Sequence, residues 1–217
     1  MSIAIRDLTK TIKTATVLKD VNLTFEKGKI YGLRGKNGSG KTMLMRAICG
    51  LIRPSAGTIE IDGEFLDKDI SFPRSVGALI ETPSFISNYS GFKNLKVIAS
   101  INNKINDAQI KDYISLVGLD PDSKKSYRKY SLGMKQRLGI ACAIMESPEI
   151  IILDEPINAL DEKGVKLVRD ILIERKKDAI IIIACHDKEE LELLADEIFS
   201  MEDGRVIGHE VVERDAG

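Results

Sequence analysis

The sequence predicts an α/β fold with a mostly parallel central sheet and an inserted α-helical lobe, and three observations carry that expectation. Short β-rich runs alternate with helix-like patterns along most of the chain. Two runs, Ile150-Ile151-Ile152-Leu153 and Ile180-Ile181-Ile182-Ile183, are continuously apolar and rich in β-branched residues, as strands covered on both faces are. Between residues 82 and 145 the pattern changes to helical spacing with no period-two alternation.

Taken in order, strands are expected at 2–8, 21–25, 30–34, 57–61, 76–80, 150–153 and 179–185, with the two isoleucine runs central. A helix follows the third of these, over 43–49. Residues 92–104 and 107–117 have helical apolar spacing, and a further helix begins near Gly133. Asn88-Tyr89-Ser90-Gly91 and Gly118-Leu119-Asp120-Pro121 supply turns between them. Residues 198–201 and 205–208, joined by Glu202-Asp203-Gly204, form a hairpin around an Asp-Gly turn. The expected division is a core of 1–81 and 146–217 with a helical lobe of 82–145. No further domain is expected after the short polar tail 211–217.

A chain of 217 residues, 43% hydrophobic and 30% charged, is long enough to bury a full core. Its 32 Lys and Arg balance 33 Asp and Glu, for a net charge of -1, so no dominant nucleic-acid surface is expected. The longest apolar run, 179–185, is far short of the roughly 18 residues of a membrane span. No basic segment followed by an apolar core opens the chain, so a signal peptide is not expected. Cys49, Cys142 and Cys185 are scattered, which fits packed, reduced thiols. Cys185 beside His186 offers two metal donors but no second pair, so the sequence does not support a zinc site.

Gly35-Lys36-Asn37-Gly38-Ser39-Gly40-Lys41-Thr42 matches the phosphate-binding loop, between an apolar strand and a helix. Backbone N–H groups of Asn37, Gly38, Ser39 and Gly40 can turn toward a polyphosphate. Lys41 can reach the outer phosphates, the Thr42 hydroxyl can ligate Mg²⁺, and the helix start through Met43 presents N–H groups to the anion. The chain is therefore expected to bind a nucleoside triphosphate.

The run 150–153 ends in Asp154-Glu155, at the strand end where ligands meet parallel sheets. Asp154 is placed to hold Mg²⁺, and Glu155 to accept a proton from an attacking water. The second isoleucine run ends at Cys185-His186-Asp187, where His186 could contact a terminal phosphate and fix the water. Tyr130-Ser131-Leu132-Gly133-Met134 opens a helix, with Ser131 as N-cap and Gly133 leaving room for close approach.

In this order the motifs resemble those of the ATP-binding cassette (ABC) subunits of membrane transporters, over essentially the whole chain. The resemblance rests on the phosphate loop, the signature 130–134, the acidic strand 150–155, Asn158-Ala159-Leu160-Asp161 and His186. Gly77-Ala78-Leu79-Ile80-Glu81-Thr82-Pro83-Ser84-Phe85 is similar to the subgroup linked to bacitracin and lantibiotic self-protection exporters. The resemblance implies an N-terminal antiparallel β part, ATP and Mg²⁺ as ligands, and hydrolysis coupled to transport. It implies a head-to-tail homodimer, with ATP between one phosphate loop and the partner's Ser131 and Gly133. Glu155 would then activate water, His186 hold the γ-phosphate, and Asp161 couple the two sites. Permease subunits would hold the chain on the cytoplasmic face of the membrane through the helical lobe.

Four features depart from the family pattern. Ile12 stands where an aromatic usually stacks on adenine, and Glu81 where Gln usually approaches the metal. A carboxylate at Glu81 ligates Mg²⁺ well but repels the γ-phosphate. Met43 replaces a frequent Thr, and Leu132 and Met134 replace a Gly and a Gln of the signature. A phosphate-loop kinase or GTPase would need neither the signature nor the histidine. A non-transport ABC protein acting on nucleic acid or ribosomes would usually carry tandem cassettes, long insertions or basic arms.

Overall fold

Alternation of side chains along the two isoleucine runs sets the architecture. Ile150, Ile152, Ile180 and Ile182 join one apolar cluster, and Ile151, Leu153, Ile181 and Ile183 join a second on the opposite face. Each strand therefore needs cover on both sides. The computed structural model describes residues 1–212.

The six-stranded sheet has the order β10-β9-β3-β8-β7-β6. Its members are β3 (Ile30–Arg34), β6 (Val76–Leu79), β7 (Ile150–Asp154), β8 (Ile180–Cys185), β9 (Glu197–Glu202) and β10 (Arg205–Val211). All neighbours run parallel except the β9–β10 hairpin, whose turn residues Asp203 and Gly204 have φ of 46° and 81°. Positive φ at both positions is what an Asp-Gly hairpin turn supplies.

The expected antiparallel part is present as a second sheet of order β2-β1-β4-β5, formed by β1 (Ser2–Ile12), β2 (Ala15–Glu26), β4 (Ala56–Ile61) and β5 (Glu64–Phe65). With helix α1 (Lys41–Ile48) it covers one face of the large sheet, through Ile3, Leu8, Leu18, Leu44 and Ile48. The first two strands are longer than expected. Their far ends, joined through Lys13 at φ 54°, carry Thr9, Thr11, Thr14 and Thr16 on a largely solvated surface, where burial imposes no alternation.

The other face is covered by α2 (Gly91–Asn102), α3 (Asp107–Leu116), α4 (Leu132–Ile144), α5 (Glu162–Arg175) and α6 (Lys188–Leu194). Helices α2, α3 and α4 all lie between β6 and β7 in the chain, and their buried side chains form one cluster with the sheet face. Helices α5 and α6 have no counterpart among the sequence expectations. Each starts at an Asp N-cap, Asp161 and Asp187; α5 buries Val168, Ile171 and Leu172, and α6 buries Leu191 and Leu194. No helix among the described residues is long and apolar enough to cross a membrane. Of the tail, residues 213–217 lie outside the described residues.

Strands β3, β8, β7 and β6 are adjacent and parallel, so their carboxyl ends open on one edge. Arg34 pairs with Cys185, Ala184 with Asp154, and Leu153 with Leu79. The residues that follow are the phosphate loop, His186, Glu155 and Glu81. Four segments far apart in sequence thus converge.

Candidate nucleotide site

The phosphate loop joins β3 to α1. At its end Gly40 has φ 106°, and a Cβ there would lie 2.9 Å from the Val17 carbonyl oxygen. Both the left-handed conformation and the close approach require glycine. As N-cap of α1, Gly40 supplies no side-chain hydrogen bond. The other five α-helices are each capped by a side chain, from Ser90, Asn106, Ser131, Asp161 and Asp187. Among the described residues α1 is thus the α-helix with no side-chain cap, and its first-turn N–H groups are open to a ligand.

The loop's polar groups agree. Lys41 is buried, and its ammonium donates to the carbonyl oxygens of Gly35 (2.5 Å) and Lys36 (3.3 Å), with no carboxylate in ion-pair reach among the described residues. Ser39 Oγ is buried without a hydrogen-bond partner among the described residues. A buried cation, an orphaned hydroxyl and open helix N–H groups fit an anion. The adjoining cleft, ≈ 310 Å³, is lined by residues 37–43, including Met43, together with Val17, Asp154 and Glu155.

Thr42 Oγ1 donates to Asp154 Oδ2 at 2.9 Å. Burial pushes the Asp154 carboxyl above the ordinary aspartate range, against the pull of the Thr42 hydroxyl; the Glu155 charge raises it and the Lys41 charge lowers it. The nearby backbone N–H of Glu81 lowers it slightly. A hydroxyl and a carboxylate oxygen side by side, with an unfavourable buried charge, suit a hard cation such as Mg²⁺.

Glu155 leaves β7 at φ 49°, in the left-handed region that costs a non-glycine residue energy. Its N–H donates to the Ala184 carbonyl (2.8 Å), and its own carbonyl accepts from Gln136 Nε2 (2.8 Å). These two bonds hold the strained turn. Nδ1 of the exposed His186 lies 3.2 Å from both Glu155 carboxylate oxygens. Glu81, also at positive φ (62°), accepts from Arg46 of α1 at 2.7 Å.

The structure thus gathers residues 37–43, Asp154, Glu155, His186 and Glu81 at one edge. Ile12 ends β1, 41% exposed, and does not line the cleft, whose apolar wall beside the loop is Val17. Ser131 Oγ accepts from the Met134 N–H at 3.2 Å, the expected cap. A Cβ at Gly133 would lie 2.8 Å from the Ala159 carbonyl, so this glycine lets α4 pack on the loop after β7. Neither Ser131 nor Gly133 lines the phosphate-loop cleft; their neighbours Leu132 and Gln136 line a second cleft, shared with Glu81, Asp154 and Glu155. Val17 and Gln136 carry no local motif that names them as site residues. Gln136 lies between Lys135 and Arg137 in the polar early turns of α4, so nothing local singles it out.

The family profile described as ABC transporter matches residues 18–158. The chain belongs to the ABC transporter family. It is an ATP-binding cassette with the ATPase fold of that family. An uncharacterized ABC transporter ATP-binding protein, YybJ of Bacillus subtilis (strain 168), is 53% identical over 205 residues, with 94% of each chain covered. The bacitracin transport ATP-binding protein BcrA of Enterococcus faecalis is 41% identical, with 93% of this chain and 66% of that protein covered. The lantibiotic transport ATP-binding protein SrtF of Streptococcus pyogenes is 37% identical, covering 94% and 88%. In fold, the chain superposes on a dimeric ATP-binding cassette, MJ0796 bound to ADP and Pi, with TM-score 0.86, 23% identity, and 98% and 99% covered.

Proposed function

We propose that this chain is the ATP-hydrolysing motor of a membrane exporter, working as a head-to-tail pair of copies docked on permease subunits at the cytoplasmic face. The observation that carries the reading is the division of anion-binding groups. Helix α1 is uncapped and open beside Lys41, whereas Ser131 and Gly133 open a different helix, outside that cleft. One copy therefore supplies half of a site, and a second copy supplies the remainder. Ser131 supports this role although its hydroxyl oxygen already accepts from Met134: the hydroxyl proton stays free to donate to a phosphate oxygen.

The residue roles follow from chemistry. The α1 N–H groups and Lys41 hold the phosphates. Thr42 and Asp154 would hold Mg²⁺, with Glu81 beside them; the ion, when bound, neutralises charge on the phosphate oxygens. Glu155 takes the proton of the attacking water, and His186, against both of its carboxylate oxygens, fixes its direction. Loss of the γ-phosphate removes the bridge between copies, so they part. The segment 82–145 acts as the lobe that carries the signature and receives the permease. Export rather than import is supported by the likeness to bacitracin and lantibiotic transport proteins.

The test is Glu155→Gln. The variant is expected to bind ATP with Mg²⁺ as the parent does, to lose about 100-fold or more of its turnover, and to elute as a dimer when ATP is present. Turnover at the parental rate would refute Glu155 as the base.

A further inference from the structure

Glu155, Cys185 and His186 each offer one ligating atom, and these atoms lie within 4.8 Å of one another. The sequence supplies only the adjacent Cys185 and His186; the pairing of β7 with β8 brings the carboxylate of Glu155, 31 residues away from His186, to complete the group. Thiol, imidazole and carboxylate are the donor set of borderline-soft divalent ions, zinc above all, and three protein ligands with a free fourth position is a common zinc arrangement. Tetrahedral zinc with its usual bond lengths needs donors about 3.4 Å apart. Small side-chain rotations reach that spacing, because His186 is exposed and Glu155 half-buried.

We infer that Glu155, Cys185 and His186 form a binding site for Zn²⁺ or a similar ion, distinct from the oxygen-ligand site at Thr42 and Asp154, and that its occupation halts ATP hydrolysis. Approach is from the side of His186, since Cys185 itself is buried. Cys185 Sγ donates to Glu190 Oε2 at 2.9 Å. Burial, then this hydrogen bond, pushes the thiol above its ordinary value, so a metal must displace its proton. Glu190 stands as the acceptor through which that proton leaves to solvent as the S–Zn bond forms. Mg²⁺, which prefers oxygen ligands, does not compete for sulfur and nitrogen. Inhibition rests on the proposed roles of Glu155 and His186 in hydrolysis; metal binding does not.

The experiment titrates the nucleotide-free chain, kept reduced by a phosphine, with Zn²⁺ against a chromophoric chelator, and with Co²⁺ for its thiolate charge-transfer absorption. The expected result is one ion per chain with a Co²⁺–thiolate band. Cys185→Ser should abolish the band and weaken Zn²⁺ binding by about 10-fold or more. It should also keep turnover in Mg²⁺-ATP while losing zinc inhibition. Because Cys185 is buried, the exposed His186→Ala repeats the binding measurement without disturbing the core, and should weaken Zn²⁺ as well. No thiolate band, or equal zinc affinity in both variants and the parent, overturns the site. Zinc bound through Cys185 with turnover untouched upholds the site and overturns the hydrolytic roles of Glu155 and His186.

Discussion

Asp154 shows at the scale of one residue how a site is kept ready for a ligand. The residue is only 8% exposed, and its ionised form is disfavoured by burial. A raised carboxyl pKa means the folded chain holds this proton more tightly than the unfolded one, so ionisation above that pKa works against folding. At neutral pH, Asp154→Asn should therefore melt at the parental temperature or above it while abolishing Mg²⁺-dependent hydrolysis. A lower melting temperature would contradict the stated cost. Glu81 has the opposite character: its carboxylate is exposed and pairs with Arg46. Glu81→Gln should change stability by less than about 1 kcal/mol, as loss of a surface pair does. If Glu81 approaches the metal, the variant should need several-fold more Mg²⁺ for half-maximal hydrolysis. Coincident Mg²⁺ curves would restrict Glu81 to its Arg46 pair.

Among the elements, α4 bears on the site through Gln136, whose side chain reaches the Glu155 carbonyl from a buried position. Gln136→Met keeps the size and removes this bond, while the Asn158 N–H still donates to the same carbonyl at 3.2 Å, so the loss should be about 0.5–1.5 kcal/mol in chemical denaturation. Turnover should fall while ATP affinity holds, because Gln136 positions Glu155 and touches no loop residue. Equal stability and turnover would sever α4 from the acidic turn. The same elements show what the sequence could disclose. The phosphate loop is contiguous, so its residues are legible from spacing alone, and the acidic pair stands out at the end of an apolar run. The Ser131 cap is equally local. Gln136 on Glu155, Arg46 on Glu81 and Val17 against Gly40 depend on which strands become neighbours, a matter decided by packing across the sheet. Helix α5 is legible in the spacing of Val165, Val168, Ile171 and Leu172, whereas α6, of 7 residues, is too short for a period to show. Cys185 and His186 read as a weak pair until β7 supplies Glu155.

For the whole molecule, two covered sheet faces leave the carboxyl edge as the place where ligands enter. On that edge the phosphate-loop cleft and the cleft beside the signature helix have only Asp154 and Glu155 in common, which supports the proposal that a second copy completes the site. In the function proposed above, ATP joins the loop of one copy to the signature of another. Its most direct test uses the Glu155→Gln background, in which hydrolysis does not dissolve the bridge. Chains carrying Asn37→Cys in the loop are mixed with chains carrying Leu132→Cys at the start of α4, and both are exposed to a mild oxidant. A disulfide-linked pair of the two different chains is expected when Mg²⁺-ATP is present, and little without nucleotide or from either chain alone. Cross-linking that is indifferent to ATP, or absent from the ATP-bound mixture, would contradict it.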